Sequence, residues 1–267
     1  MNRIDAKFRA LRAAKQRGFI AYICAGDPSL KITARLTVAF ECAGVDVVEL
    51  GVPFSDPLAD GVVNQLAADR ALRSGTTLSG VLKTVAALRR KGCGVPIVFY
   101  VYFNLLHHYG LKNFVRDAED AGVDGVLALD LPPEEGVVYE QLMGRAGLHP
   151  IYLVAPTTPP GRVRQIARHA SGFIYYVSRE GVTGMQKQLA PAVTSHVRSI
   201  RHCSRLPVAI GFGISTPAQA RGTARTADAV VVGSAIVNQI ARHGSDRDLV
   251  KKVSRFVGAM VKAVKSV

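Results

Sequence analysis

The sequence predicts an α/β protein built as one (β/α)8 TIM barrel with an extra N-terminal helix. Three observations carry this: eight short apolar runs, amphipathic helical stretches between them, and polar or glycine residues gathered where the runs end. The runs are 19–25 (FIAYICA), 46–51 (DVVELG), 96–102 (PIVFYVY), 124–130 (DGVLALD), 150–155 (PIYLVA), 172–177 (GFIYYV), 207–212 (PVAIGF) and 227–232 (ADAVVV). Continuous apolar runs of this length suit parallel strands covered on both faces. Strict alternation with right-handed crossovers leaves an open doubly wound sheet or a closed barrel, and no glycine-rich dinucleotide loop follows the first run. The barrel is favoured. At 267 residues, with no linker-like stretch, residues 1–267 are expected to form one domain.

The helices follow from three- and four-residue apolar spacing. A charged N-terminal pattern carries Phe8 and Leu11. Leu78, Val81, Leu82, Val85 and Leu88 make one stripe, and Leu189, Val193, Val197 and Ile200 make another. The last helix carries Leu249, Val250, Val253, Phe256, Val257, Met260 and Val264, and Ser245 with Asp248 three residues on is expected to cap its start. The phrase AGVD occurs at 43–46 and again at 121–124. Each time a helix ends, glycine supplies a left-handed turn, and a strand begins.

Composition narrows the function. A hydrophobic content of 48% with 20% charged residues is that of a globular chain, and charged or turn residues interrupt every apolar stretch before it reaches a membrane span. No apolar leader opens the sequence, so a cytoplasmic location is expected. The four cysteines, Cys24, Cys42, Cys93 and Cys203, show no metal-ligand or redox spacing, so neither a disulfide nor a metal is expected. The formal charge of +14 raises the question of nucleic acid. Its carriers, such as Arg162, Arg164 and Arg168 or Lys251, Lys252 and Arg255, are scattered over helical faces without interleaved aromatics. Solvated outer helix faces account for them, with no nucleic acid and no membrane partner, and the excess helps attract an anionic substrate.

In a barrel of this kind chemistry collects at the C-terminal ends of the strands. Those ends read Gly26-Asp27-Pro28, Glu49, Tyr102, Asp130, Ser178, Gly211-Phe212-Gly213 and Gly233-Ser234. Glu49 lies inside an apolar strand, and no predicted strand holds a Lys or Arg to pair with it. A carboxyl so placed has a raised pKa and can transfer protons near neutrality, unless backbone amides or a helical Lys satisfy it. The following loop, VPFSDPLADG (52–61), carries Asp56 and Asp60, with Pro53 and Pro57 to stiffen it and Gly61 to permit a turn. The late glycines of GFGIS (211–215) and VVGSA (231–235), with Ser234, fall at the usual phosphate position of the fold. The polar loop SREGVTGMQKQ (178–188), with Gly181 and Gly184, could cover the site.

The stretch VELGVPFSDPLADG (48–61), with AGDPS (25–29), AGVDGVLALDLPPEE (121–135), SREGVTG (178–184), GFGIS and VVGSAIV, resembles the tryptophan synthase alpha chain family nearly end to end. The resemblance implies retro-aldol cleavage of indole-3-glycerol phosphate to indole and D-glyceraldehyde 3-phosphate, with no cofactor in this chain. It implies Glu49 as general acid/base and Asp60 as the carboxylate that stabilises the indolenine. Tyr22, Tyr102, Tyr175, Thr183, Phe212, Gly213 and Val232 are implied in the substrate pocket, and Gly184, Gly213, Gly233 and Ser234 in the phosphate cradle. It further implies a beta subunit carrying pyridoxal phosphate, in an alpha2-beta2 tetramer, contacted through the loop around Asp56 and the segment from Asp130 to Glu135. Ala21, Cys24, Glu180 and the run Val62-Val63-Asn64 depart from the family's usual residues, the last giving the loop more freedom where a Pro is common. Other readings are a phosphate-binding isomerase or epimerase on the same fold, an activator of the beta subunit with little activity of its own, and a free-standing indole-releasing lyase.

Overall fold

A computed structural model describes residues 1–177, 191–211 and 213–267. Its strands are β1 (Gly18–Cys24), β2 (Val47–Gly51), β3 (Ile97–Val101), β4 (Gly125–Ala128), β5 (His149–Val154), β6 (Ile174–Val177), β7 (Val208–Gly211) and β8 (Ala229–Val232). All pairings are parallel, each strand lies beside the next, and β8 returns to β1 to close a barrel. Among the described residues the helices are α1 (Arg3–Ala13), α2 (Leu30–Cys42), α3 (Val62–Arg73), α4 (Leu78–Arg90), α5 (Phe103–Tyr109), α6 (Leu111–Ala121), α7 (Val137–Arg145), α8 (Pro160–His169), α9 (Pro191–Cys203), α10 (Pro217–Ala224), α11 (Ser234–His243) and α12 (Leu249–Lys265).

The period of two along each strand divides the core. Ile20, Val47, Val98, Leu127, Ile151, Ala209 and Val231 point inward and pack with Ile4, Phe8 and Leu11 of α1. The extra helix thus closes the N-terminal end, with the Phe8 ring 5.8 Å from that of Phe173. Each of those three side chains gains about 1.5–3 kcal/mol from burial. The alternate residues, such as Val48, Leu50, Phe99, Val126 and Val230, face outward into the layer beneath the helices. The stripe Leu78, Val81, Leu82, Val85 and Leu88 is buried as its spacing requires. So are Val193, Val197 and Ile200 of α9, while Leu189 lies outside the described residues.

The repeated AGVD has a double use. Gly44 and Gly122 take left-handed φ values of 86° and 81°, ending α2 and α6. The aspartate then closes a reciprocal pair with the start of the preceding strand. Asp46 Oδ2 accepts from Phe19 N at 2.8 Å, and Asp46 N donates to Phe19 O at 2.9 Å. Asp124 does the same with Ile97, and Asp228 with Val208. Cations complete each acid: Lys265 and Lys7 on Asp46, Arg3 and Arg89 on Asp124, Arg201 and Arg17 on Asp228.

The start of α12 differs from the expectation. Ser245 lies in a turn, and Asp248 is the cap residue, without a side-chain bond to the first-turn amides. Its carboxylate is drawn to Lys252 instead, 3.2 Å away, and Asp246 holds both Lys252 and His243. Among the described residues no helix is long and apolar enough to cross a membrane.

Candidate active site

β2 delivers Glu49 to the barrel interior, in register with Tyr22 of β1 and Val98 of β3. Its side chain is 0% exposed, and among the described residues neither carboxyl oxygen has a hydrogen-bond partner. The satisfied alternatives, backbone amides or a helical Lys, are not realised. Burial alone pushes its pKa up to about 8. At neutral pH the group is mostly the protonated acid, because an unpaired carboxylate in this setting has lost its hydration without replacement.

Asp60 ends the loop that follows β2 and is held from two sides. Its Oδ1 accepts from Tyr100 Oη at 3.0 Å and from Asn64 Nδ2 at 3.3 Å, and its Oδ2 accepts from Tyr102 Oη at 2.9 Å. Burial raises the Asp60 pKa, and these three hydrogen bonds oppose the rise. Tyr102 also accepts from Ala59 N at 2.9 Å, and its ring packs on Phe54 at 5.1 Å. It therefore anchors the loop as well as the acid. Gly61, expected to permit a turn, has extended backbone (φ −73°) and caps α3, with open space where a side chain would go. The turn lies earlier, closed by Asp60 N to Pro57 O at 3.0 Å. Nor is the start of α3 loose. Val63 packs against the Tyr22, Cys24, Ala67 and Ala71 cluster, so the loop is pinned at the end where the sequence left it free.

Tyr22, Tyr100 and Tyr175 surround the two acids. Tyr22 and Tyr100 meet edge to face at 5.0 Å. All three hydroxyls are pushed above their ordinary range, by burial first, with Asp60 and Glu49 adding to it. They are donors at neutral pH. Two glycines make room for them: a Cβ at Gly51 would lie 2.5 Å from Tyr22 Oη, and one at Gly211 would lie 2.5 Å from Tyr175 Oη.

On the β8 side, Gly233 caps α11 and has no side chain to occupy the first-turn amides. Ser234 opens that helix exposed to solvent, and Gly213 stands nearby in sequence from β7 with a φ of 64°. Backbone amides at a helix start are suited to an anion. Val232 does not join this set by its side chain. It belongs to the outer layer with Val230, while Val231 takes the interior position. Thr183, Gly184, Phe212 and the loop 178–188 lie outside the described residues.

The other acids at the strand ends are structural. Asp27 makes a two-pronged pair with Arg70 at 2.9 and 2.7 Å, and Asp130 accepts from Phe103 N at the start of α5. Among the described residues no group of three or more His, Cys, Asp or Glu could hold a metal ion. The sequence did not single out Tyr100 as a site residue, and marked Asn64 only as part of the Val62-Val63-Asn64 departure. Their signals were present: Tyr100 shares the inward parity of Val98 and Tyr102, and Asn64 lies one helical turn beyond Asp60.

Residues 8–265 match the family model described as Tryptophan synthase alpha chain. The chain belongs to the tryptophan synthase alpha chain family. It is 48% identical to the tryptophan synthase alpha chain of Opitutus terrae, over 99% of this chain and 100% of that one. It is also 48% identical to that of Geotalea daltonii, over 97% and 98%. Among solved structures, the tryptophan synthase subunit alpha of Legionella pneumophila str. Paris superposes with a TM-score of 0.92 at 35% identity, covering 100% of both chains. A ligand-free tryptophan synthase structure from M. tuberculosis gives 0.88 at 29% identity, over 99% of this chain and 100% of that one. As alpha chains, members of this family have a beta subunit as partner.

Proposed function

We propose that Glu49 and Asp60 carry, in this chain, the lyase reaction of the tryptophan synthase alpha chains, the cleavage of indole-3-glycerol phosphate to indole and D-glyceraldehyde 3-phosphate. The observation that carries the assignment is Glu49, fully buried, unpartnered among the described residues and mostly protonated at neutral pH.

The bond to be broken joins the indole ring carbon to the glycerol chain, and its electrons need a destination. Glu49 gives its proton to that ring carbon, which converts the indole to a positively charged indolenine. Asp60, accepting the ring N–H, stabilises the charge. The resulting Glu49 carboxylate then takes the proton from the adjacent glycerol hydroxyl. As the carbonyl forms, the carbon–carbon bond breaks and its electrons return to the ring, releasing indole. The substrate's own ring is the electron sink, so the step requires no cofactor from this chain.

Tyr22, Tyr102 and Tyr175 bound the indole end, with Thr183 and Phe212 assigned there by position in the family pattern. Gly213, Gly233 and Ser234, with Gly184, hold the phosphate through backbone amides and one hydroxyl. The end of the loop and the start of α3 supply the docking face for the beta subunit: Leu58 is 92% exposed and Val62 69% exposed. Exposed apolar groups there mark an interaction surface. On this reading the assembly is an alpha2-beta2 tetramer, pyridoxal phosphate resides in the beta subunit, and the complex works in the cytoplasm. Purified protein incubated with indole-3-glycerol phosphate, alone and with a beta subunit, should release indole in both cases. No release in either would refute the assignment.

A further inference from the structure

The three donors on Asp60 are unevenly divided. Among the described residues Oδ1 accepts two, Tyr100 Oη and Asn64 Nδ2, while Oδ2 accepts only Tyr102 Oη. A carboxylate has about four lone-pair sites, two on each oxygen. The protein therefore fills Oδ1 and leaves one site on Oδ2. The two donors on Oδ1 come from different elements, Tyr100 from the inner wall of β3 and Asn64 from the first turn of α3. Between them they fix the carboxylate plane from the barrel and from the far end of the loop. The Tyr100 ring is itself held edge-on by Tyr22 at 5.0 Å.

We propose that Tyr100 and Asn64 are positioning residues for Asp60, filling Oδ1 so that the remaining lone pair on Oδ2 becomes the seat of the substrate's ring N–H. This rests on the cleavage reading above and adds to it the two side chains that aim the acid. A consequence follows for ionisation. The titratable groups within electrostatic reach of Asp60 are Tyr22 and Cys24 of β1, Tyr100 of β3, Tyr102 just beyond it, and Tyr175 of β6, all held protonated by burial first. No cation faces Asp60 among the described residues, so hydrogen bonds alone oppose the effect of burial on it. Removing a donor should raise the pH at which Asp60 becomes an anion.

The test is a set of variants, Tyr100→Phe, Asn64→Leu and Asp60→Asn, with each of the first two also combined with Asp60→Asn. The pH profile of kcat/KM for indole-3-glycerol phosphate cleavage is measured for each. Tyr100→Phe and Asn64→Leu should each lower kcat by about tenfold and move the acidic limb to higher pH. In the Asp60→Asn background either change should alter the rate by less than about twofold, because nothing remains to aim. An unmoved acidic limb, or an equal loss in both backgrounds, would overturn the proposal. Tyr100→Phe keeps the ring and isolates the hydroxyl, so it decides the question alone if Asn64→Leu fails to fold. Full activity in Asp60→Asn would instead remove the role given to Asp60 in cleavage, an outcome separable from the behaviour of Tyr100 and Asn64.

Discussion

At the N-terminal end of the barrel, Asp46, Asp124 and Asp228 each receive a strand N–H and two cations. At the C-terminal end, among the described residues, Glu49 receives nothing, and Asp60 receives two phenols and an amide but no cation. Asp124 and Glu49 are almost equally buried, at 2% and 0% exposed, so depth does not separate them. Partners do. A buried acid with matched donors and cations is spent on holding strands together. A buried acid without them keeps a proton that it can give away.

The widest separation between the two ends should come from Glu49→Gln. It is nearly isosteric and removes only the titratable proton, so cleavage should be abolished while folding and substrate affinity stay close to wild type. More than a tenth of wild-type turnover would refute proton transfer by Glu49. The mirror-image change is Asp124→Ala. It strands Arg89 and the Ile97 N–H, and should cost about 3–5 kcal/mol of stability, measured by chemical denaturation. The turnover of the folded fraction should be unchanged; lost turnover with unchanged stability would erase the division of labour. Next in size, Asp60→Asn should slow cleavage by about two orders of magnitude or more, as for other lost electrostatic stabilisers. A loss below about threefold would make Asp60 a loop fastener only.

The sequence carried the frame well, because apolar runs and helical spacing are local signals. All eight strands fall within about two residues of their expected limits. Glu49 was legible for the same reason, a charge inside VVELGV. What it did not carry depends on pairs brought together by folding. Tyr100 meets Asp60 across forty positions of sequence, so its inward parity marks the wall it lines but not the acid it holds. Val232 was placed with the pocket, but the period of two turns its side chain to the outer layer. Ser245 looked like a helix cap until Lys252 drew the neighbouring Asp246 and Asp248 into ion pairs, with His243 hydrogen-bonded to Asp246. Two of the reciprocal aspartates, Asp46 and Asp124, were visible only as a repeated phrase, AGVD, whose meaning needed the strand beside it.

A smaller effect concerns the partner. Leu58 of the loop and Val62, the first residue of α3, stand exposed two residues to either side of Asp60, so covering them should steady the acid. Addition of a cognate beta subunit should raise indole-3-glycerol phosphate cleavage by at least about tenfold, a coupling of about 1.4 kcal/mol. No change despite demonstrated complex formation would disconnect this face from the site. A separate effect is on stability. Glu49 has a folded pKa of about 8 against an ordinary 4.5, so the folded state binds the extra proton between those values. Its contribution is fully present below the unfolded pKa and is lost as pH rises through 8. Relative to wild type, Glu49→Gln should therefore gain about 1 kcal/mol per pH unit between about pH 5 and pH 8. A difference in stability that does not vary with pH would contradict it.

The most direct test is the titration of Glu49 itself, followed by carboxyl carbon NMR on protein labelled at glutamate, with Glu49→Gln to assign the resonance. An unpaired, buried proton carrier should titrate near pH 8, coincident with the basic limb of kcat/KM. A resonance that titrates with the exposed glutamates, at about 4.3, would show that Glu49 is an anion throughout the neutral range and not the proton donor.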